Sequence, residues 1–147
     1  MLILLKNNYT LQVDDFHFNC SIGRKGTSKK KIEGDYKTPV GIFSIEHLYY
    51  RKDRMPMPKT KLKCVSIKKN MGWCNDINNP QNYNRLISVD KKISKEKLYR
   101  KDHKYDLLIP IKYNFQKKII GKGSCIFLHL TKNYASTAGC IAISKKD

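Results

Sequence analysis

Acidic residues are scarce. The 147-residue chain carries 12 Asp plus Glu against 30 Lys plus Arg, a formal charge of +18. Arginine is scarce too: only Arg24, Arg51, Arg54, Arg85 and Arg100 occur, and the remaining basic residues are Lys. Arg is the fork that reads phosphate and base edges bidentately, so the charge reads first as a solvated Lys-rich surface. The alternative is a basic, non-catalytic module for nucleic acid or an anionic polymer. No helix-turn-helix, zinc-finger or aromatic RNA-binding signature accompanies the charge, so nucleic acid is not the expected partner. Long apolar runs are missing, which excludes a membrane span. A basic segment followed by a long apolar one is missing from the start, so the expected location is the cytoplasm; the periplasm or cell envelope follows if an export leader has been removed. Cysteines number five, an odd count with no CxxC pair, which argues against a disulfide framework and a zinc ribbon and for a reducing compartment.

What is present fits one domain, with enough apolar and aromatic residues for a buried core. Period-two apolar patterns broken by turns predict strands at Leu2–Leu5, Tyr9–Asp14, Phe16–Gly23, Val40–Tyr50, Cys64–Lys68, Tyr105–Tyr113, Ser124–Leu130 and Gly139–Ser144. Arg24–Lys31 reads as a basic loop and Met71–Tyr83 as a long structured loop. Ser94–Arg100 is the one helix candidate, with Ser94 as its cap. The expected fold is mainly β, a sandwich of mixed sheets with one short helix.

The last quarter carries the chemistry. Ser124–Leu130 delivers His129 near the end of an apolar strand. A polar loop follows, and Ser136-Thr137-Ala138-Gly139-Cys140 then presents a cysteine as the next strand begins. A thiol becomes a nucleophile when an imidazole takes its proton. Gly139 allows a close backbone approach, and the N–H groups of the Ala138-Gly139-Cys140 turn are candidate oxyanion donors. Ser136 and Thr137 either orient His129 or cap the turn. Taken singly, a buried His and Cys are more often core residues.

These residues resemble the signature of the YkuD-type L,D-transpeptidases: a strand-borne His, a loop, and a Ser/Thr-x-Gly-Cys turn. Cys20–Gly26 and Glu33–Phe43, which contains Thr38-Pro39-Val40-Gly41-Ile42-Phe43, resemble another segment of that family. Gly72-Trp73-Cys74-Asn75-Asp76, Tyr83-Asn84-Arg85 and Tyr105-Asp106-Leu107-Leu108 are similar to its compact single-domain branch. The resemblance covers nearly all of residues 1–147. It implies that Cys140 attacks the L-to-D peptide bond of peptidoglycan stem peptides or muropeptides, with His129 as base and a thioester intermediate. It implies no cofactor and no metal. The outcome is L,D-transpeptidation or L,D-carboxypeptidation. Two departures stand out: Ala138 replaces the family's usual His, and Ala142 replaces an Arg two residues after the nucleophile. Arg85 is a candidate replacement for that guanidinium and Trp73 a candidate wall for the substrate; pairing of Arg85 with a surface acid is the equal alternative. The chain ends seven residues after Cys140, where family members often continue with a helix, which leaves a natural or a truncated C-terminal end open.

Overall fold

The computed structural model describes residues 2–90 and 92–147. Thirteen strands follow in chain order: β1 Ile3–Leu5, β2 Thr10–Val13, β3 Phe16–Ser21, β4 Thr27–Ser28, β5 Thr38–Pro39, β6 His47–Tyr50, β7 Lys63–Ser66, β8 Met71–Cys74, β9 Leu86–Ser88, β10 Lys95–Lys97, β11 Leu107–Pro110, β12 Phe127–Leu130 and β13 Ile141–Ile143. Eight of them form one mixed sheet in the order β1-β2-β3-β13-β12-β11-β6-β7. The β12–β13 and β6–β7 pairs are parallel, and the others are antiparallel. A smaller antiparallel sheet, β10-β8-β9, packs on one face, and β4 and β5 form a short parallel ribbon.

The alternation along β12 explains the two cores. Successive strand residues point to opposite faces. Phe127 packs toward the small sheet with Tyr49, Trp73, Leu98, Tyr105 and Leu108. Its neighbour Leu128 packs on the other face, against Leu11, Cys20, Ile22 and Ile141. The ring of Trp73 meets the edges of Tyr49 and Phe127, with centroids 6.4 and 5.5 Å apart.

The described residues contain no helix, so the expected helix at 94–100 is corrected. Lys95–Lys97 instead pairs with β8, placing Glu96 opposite Trp73. A helix of seven residues is marginal by itself, while the open edge of β8 satisfies the backbone and Leu98 is wholly buried beside it. Ser94 bonds Asn75 Oδ1 (2.6 Å) rather than capping a helix. Two further boundaries differ. The loop expected from Met71 begins as a strand, β8. The strand expected from Val40 is regular only from His47, because residues 40–46 run as an irregular segment with Ile42 in solvent. All five cysteines are free thiols. Among the described residues no helix is long and apolar enough to cross a membrane.

Candidate active site

Register brings the side chains of His129 and Cys140 to one face. In the parallel pair β12–β13, His129 stands opposite Ala142 and Leu128 opposite Ile141. Cys140 precedes Ala142 by two residues and therefore shares the face of His129. Its level on β12 is that of Phe127, whose N–H donates to Cys140 Sγ at 3.4 Å. His129 is then one strand spacing (~4.8 Å) across and two residues (~6.6 Å) along. Both side chains line a cavity of about 340 Å³, shared with Lys31, Glu96, Arg100, Lys104 and Tyr105 among others.

The turn before Cys140 is held from two sides. Gly139 adopts φ 143°, and a Cβ there would come within 2.9 Å of the Lys37 carbonyl oxygen. This position requires glycine for both conformation and space. Thr38, from the Thr-Pro segment, donates its hydroxyl to the Gly139 carbonyl (2.9 Å) and accepts from Gly23 N–H (3.0 Å). Thr137 closes the turn itself, donating to the Cys140 carbonyl (2.6 Å) and accepting from Gly139 N–H (3.1 Å). The Gly139 N–H is thus occupied, and Thr137 serves the turn rather than the imidazole. Ser136 and Ala138 are exposed at the cavity rim.

His129 is oriented by the backbone. Its Nδ1 lies 2.8 Å from the Leu130 carbonyl oxygen. A carbonyl only accepts, so Nδ1 carries the proton and Nε2 is the basic nitrogen. Tyr105 presents its ring edge-on to the imidazole at 5.2 Å. Burial pushes the His129 pKa down from 6.5 to about 4, and the charges of Lys104 and Arg100 push the same way; the imidazole is neutral at pH 7. Burial pushes the Cys140 thiol up to about 12, against the Phe127 N–H that lowers it. The thiol donates to the Cys125 carbonyl at 3.2 Å. No hydrogen bond joins the two groups among the described residues, so the resting pair is a neutral thiol and a neutral imidazole.

The family model for the YkuD L,D-transpeptidase catalytic domain matches residues 2–147. The chain belongs to the L,D-transpeptidase family. No curated protein and no solved structure matches it. L,D-transpeptidases act on peptidoglycan peptides. Within this L,D-transpeptidase domain Ala142 is the lateral neighbour of His129, so the Arg usual at that position would project beside the imidazole.

The structure places the other expected residues elsewhere. Arg85 is exposed and outside the cavity wall. Trp73 is buried in the core, its Nε1 donating to Asn84 Oδ1 (3.0 Å). Arg100, read as a helix end, is the guanidinium that does reach the cavity. It grips Asp102 through Nε (3.0 Å) and Nη2 (2.6 Å) and reaches Glu96 through Nη1 (3.0 Å), while Glu96 also accepts from Tyr105 OH (3.1 Å). His103 turns to the Thr131 carbonyl and does not line the cavity. Cys74 is fully buried and does not line the cavity. Asn84, in the sequence only the middle of the Tyr83-Asn84-Arg85 motif, has a structural role: its buried amide accepts from Trp73 Nε1 and Cys125 N–H and donates to the Tyr113 and Asn114 carbonyls. Lys31, read as part of a solvated loop, is buried against the cavity.

Proposed function

We propose that the protein cleaves the L-to-D peptide bond of peptidoglycan stem tetrapeptides by cysteine acyl transfer. The observation that carries this reading is the common face of Cys140 and His129, set by the register of β12 and β13. His129 Nε2 takes the thiol proton as the sulfur attacks the carbonyl of the L-centre residue. The same nitrogen returns the proton to the leaving amine of D-alanine, and a thioester to Cys140 remains. Because both groups rest neutral, the proton moves during attack rather than from a standing ion pair. The carboxylates of the substrate meet Lys104 and Lys132, which line the cavity and whose ammonium groups form no salt bridge among the described residues.

Hydrolysis is the favoured second step, which makes the net reaction tetrapeptide to tripeptide plus D-alanine. Arg100 is engaged by Asp102 and Glu96, and Ala142 provides no guanidinium beside His129, so water is the acceptor the cavity admits with least restriction. Five free thiols support work in a reducing compartment, where precursor or recycled stem peptides are the substrates. Product analysis after incubation with a muropeptide tetrapeptide tests this. Tripeptide and D-alanine are expected from the wild type; His129→Ala is expected to be slower by roughly 10²–10⁴-fold. Cross-linked dimers as the major product would replace hydrolysis by transpeptidation, and unchanged cleavage by a folded His129→Ala would remove His129 as the base.

A further inference from the structure

Lys31 and Ile32 exchange the environments their chemistry favours. Lys31 is 4% exposed, and its apolar neighbour Ile32 is 60% exposed. Lysine is almost never buried without a reason, since its ammonium loses its hydration. Lys29 and Lys30, the residues before it, stay in solvent. The stem of Lys31 passes between two glycines. At Gly123, itself at φ 101°, a Cβ would come within 2.8 Å of Lys31 Cε. At Gly139 a Cβ would lie 3.7 Å from Lys31 Nζ. The ammonium is therefore seated against the residue that precedes Cys140, on the wall of the same cavity.

Its acidic partner among the described residues is Asp35, four residues on. That carboxylate also accepts the N–H groups of Ile32 and Lys37, each at 3.0 Å. Burial favours its neutral form, but Lys31 and the two backbone donors prevail and hold its pKa below 3.8, so the carboxylate is ionised at pH 7. The other titratable groups on the wall around Cys140 are Glu33, Glu96, His129, Tyr105 and Cys125, with Lys132 exposed; the Glu33 carboxylate accepts the hydroxyls of Tyr83 and Ser124. Glu96 opposes a negative sulfur and is itself shared between Arg100 and Tyr105, and His129 is neutral. Arg100 and Lys104 act at the His129 end of the cavity. Lys31 is the cation at the sulfur end.

We propose that Lys31 is a positioning residue for charge: its buried ammonium, tempered by Asp35, stabilises the anion that develops on Cys140 Sγ and sets the pH range in which that sulfur is nucleophilic. This rests on the reading of Cys140 as the nucleophile, but it is measurable without any peptide substrate. A purely structural ion pair predicts that losing either partner has effects of one sign, through loosened packing. A charge acting on the sulfur predicts opposite signs, because removing Asp35 leaves the ammonium uncompensated.

The test is the pH–rate profile of Cys140 alkylation by iodoacetamide, resolved from the other four thiols by peptide mapping, on the reduced full chain. Lys31→Met is expected to shift the profile upward by about one pH unit, which is about tenfold slower alkylation at a fixed pH on the rising limb. Asp35→Asn is expected to shift it downward and alkylate several-fold faster. Lys31→Arg is expected to stay within about threefold of the wild type, since it keeps the charge. Superimposed profiles for Lys31→Met and wild type, or shifts of the same sign for Lys31→Met and Asp35→Asn, would overturn the proposal. Should Lys31→Met fail to fold, Asp35→Asn decides alone: alkylation no faster than wild type overturns it. Opposite shifts in a wild-type protein that leaves a muropeptide tetrapeptide intact would uphold Lys31 and remove the peptidase reading. Tetrapeptide cleavage with superimposed profiles would do the reverse.

Discussion

Ala142 stands directly opposite His129 in the only parallel pair at the centre of the main sheet among the described strands. That one register sets the spacing of imidazole and thiol, and it decides what the side chain two residues after Cys140 touches. A methyl group there leaves the cavity open next to the imidazole. Ala142→Arg is expected to fill this space, add a cation beside an imidazole whose pKa is already depressed by burial and, less, by Lys104 and Arg100, and lower kcat/KM at least tenfold. Steady-state kinetics with a tetrapeptide check this; unchanged kinetics would show that residue 142 does not face the base.

Thr38 links the Thr-Pro segment to the turn before Cys140 through two buried hydrogen bonds, to the Gly139 carbonyl and from Gly23 N–H. Thr38→Val keeps the shape and removes both. The expected cost is about 1–3 kcal/mol of stability, with a fall in kcat as the turn loosens, and Thr38→Ser should restore most of each. Urea denaturation and kinetics on the two variants measure it.

Asn84 satisfies all four of its amide bonds inside the wall that carries Trp73 and Cys125. Asn84→Asp turns two donors toward carbonyls into acceptors and is expected to cost on the order of 3 kcal/mol. A stability loss of less than a quarter of that, measured by urea denaturation, would contradict the role assigned to the amide.

The depressed pKa of His129 has a signed consequence for stability. In the unfolded chain the imidazole takes its proton near 6.5, and in the fold only near 4. Between those values the unfolded state binds more protons, so stability is full above pH 6.5 and is lost as the pH falls toward 4. His129→Gln is expected to flatten this limb in urea midpoints measured from pH 7 to 4. The acid limb of kcat/KM is expected near pH 4 rather than 6.5, as the free enzyme then loses its base. Equal acid limbs of stability in both proteins would show that His129 is not buried neutral.

The placement of His129 and Cys140 at the candidate site was legible in the sequence because its pattern is local. The apolar alternation of Phe127–Leu130 and the Gly139-Cys140 turn are readable within a few residues, and the two-strand geometry follows from them. What was hidden depends on distant chain. Lys31 is buried only because Gly123 and Gly139, about a hundred residues away, leave room for it. Lys95–Lys97 is a strand only because the edge of β8 is free to receive it, while its own spacing suits a helix. Trp73 and Arg85 share a motif-rich stretch, yet one side chain is committed to the core through Asn84 and the other to solvent. Ser136 and Thr137 sat close enough in sequence to suggest that they orient His129, but the carbonyl of the adjacent Leu130 does so, a backbone contact that no side-chain pattern records.

The central claim is that Cys140 carries the acyl group. Rapid acid quench of the protein with a muropeptide tetrapeptide, followed by intact-mass analysis and peptide mapping, tests it most directly. The account predicts an adduct of the tetrapeptide without its terminal D-alanine, mapped to Cys140 and absent from Cys140→Ala. An adduct of the same mass on Cys140→Ala, or tetrapeptide cleavage by that variant at the wild-type rate, would contradict it.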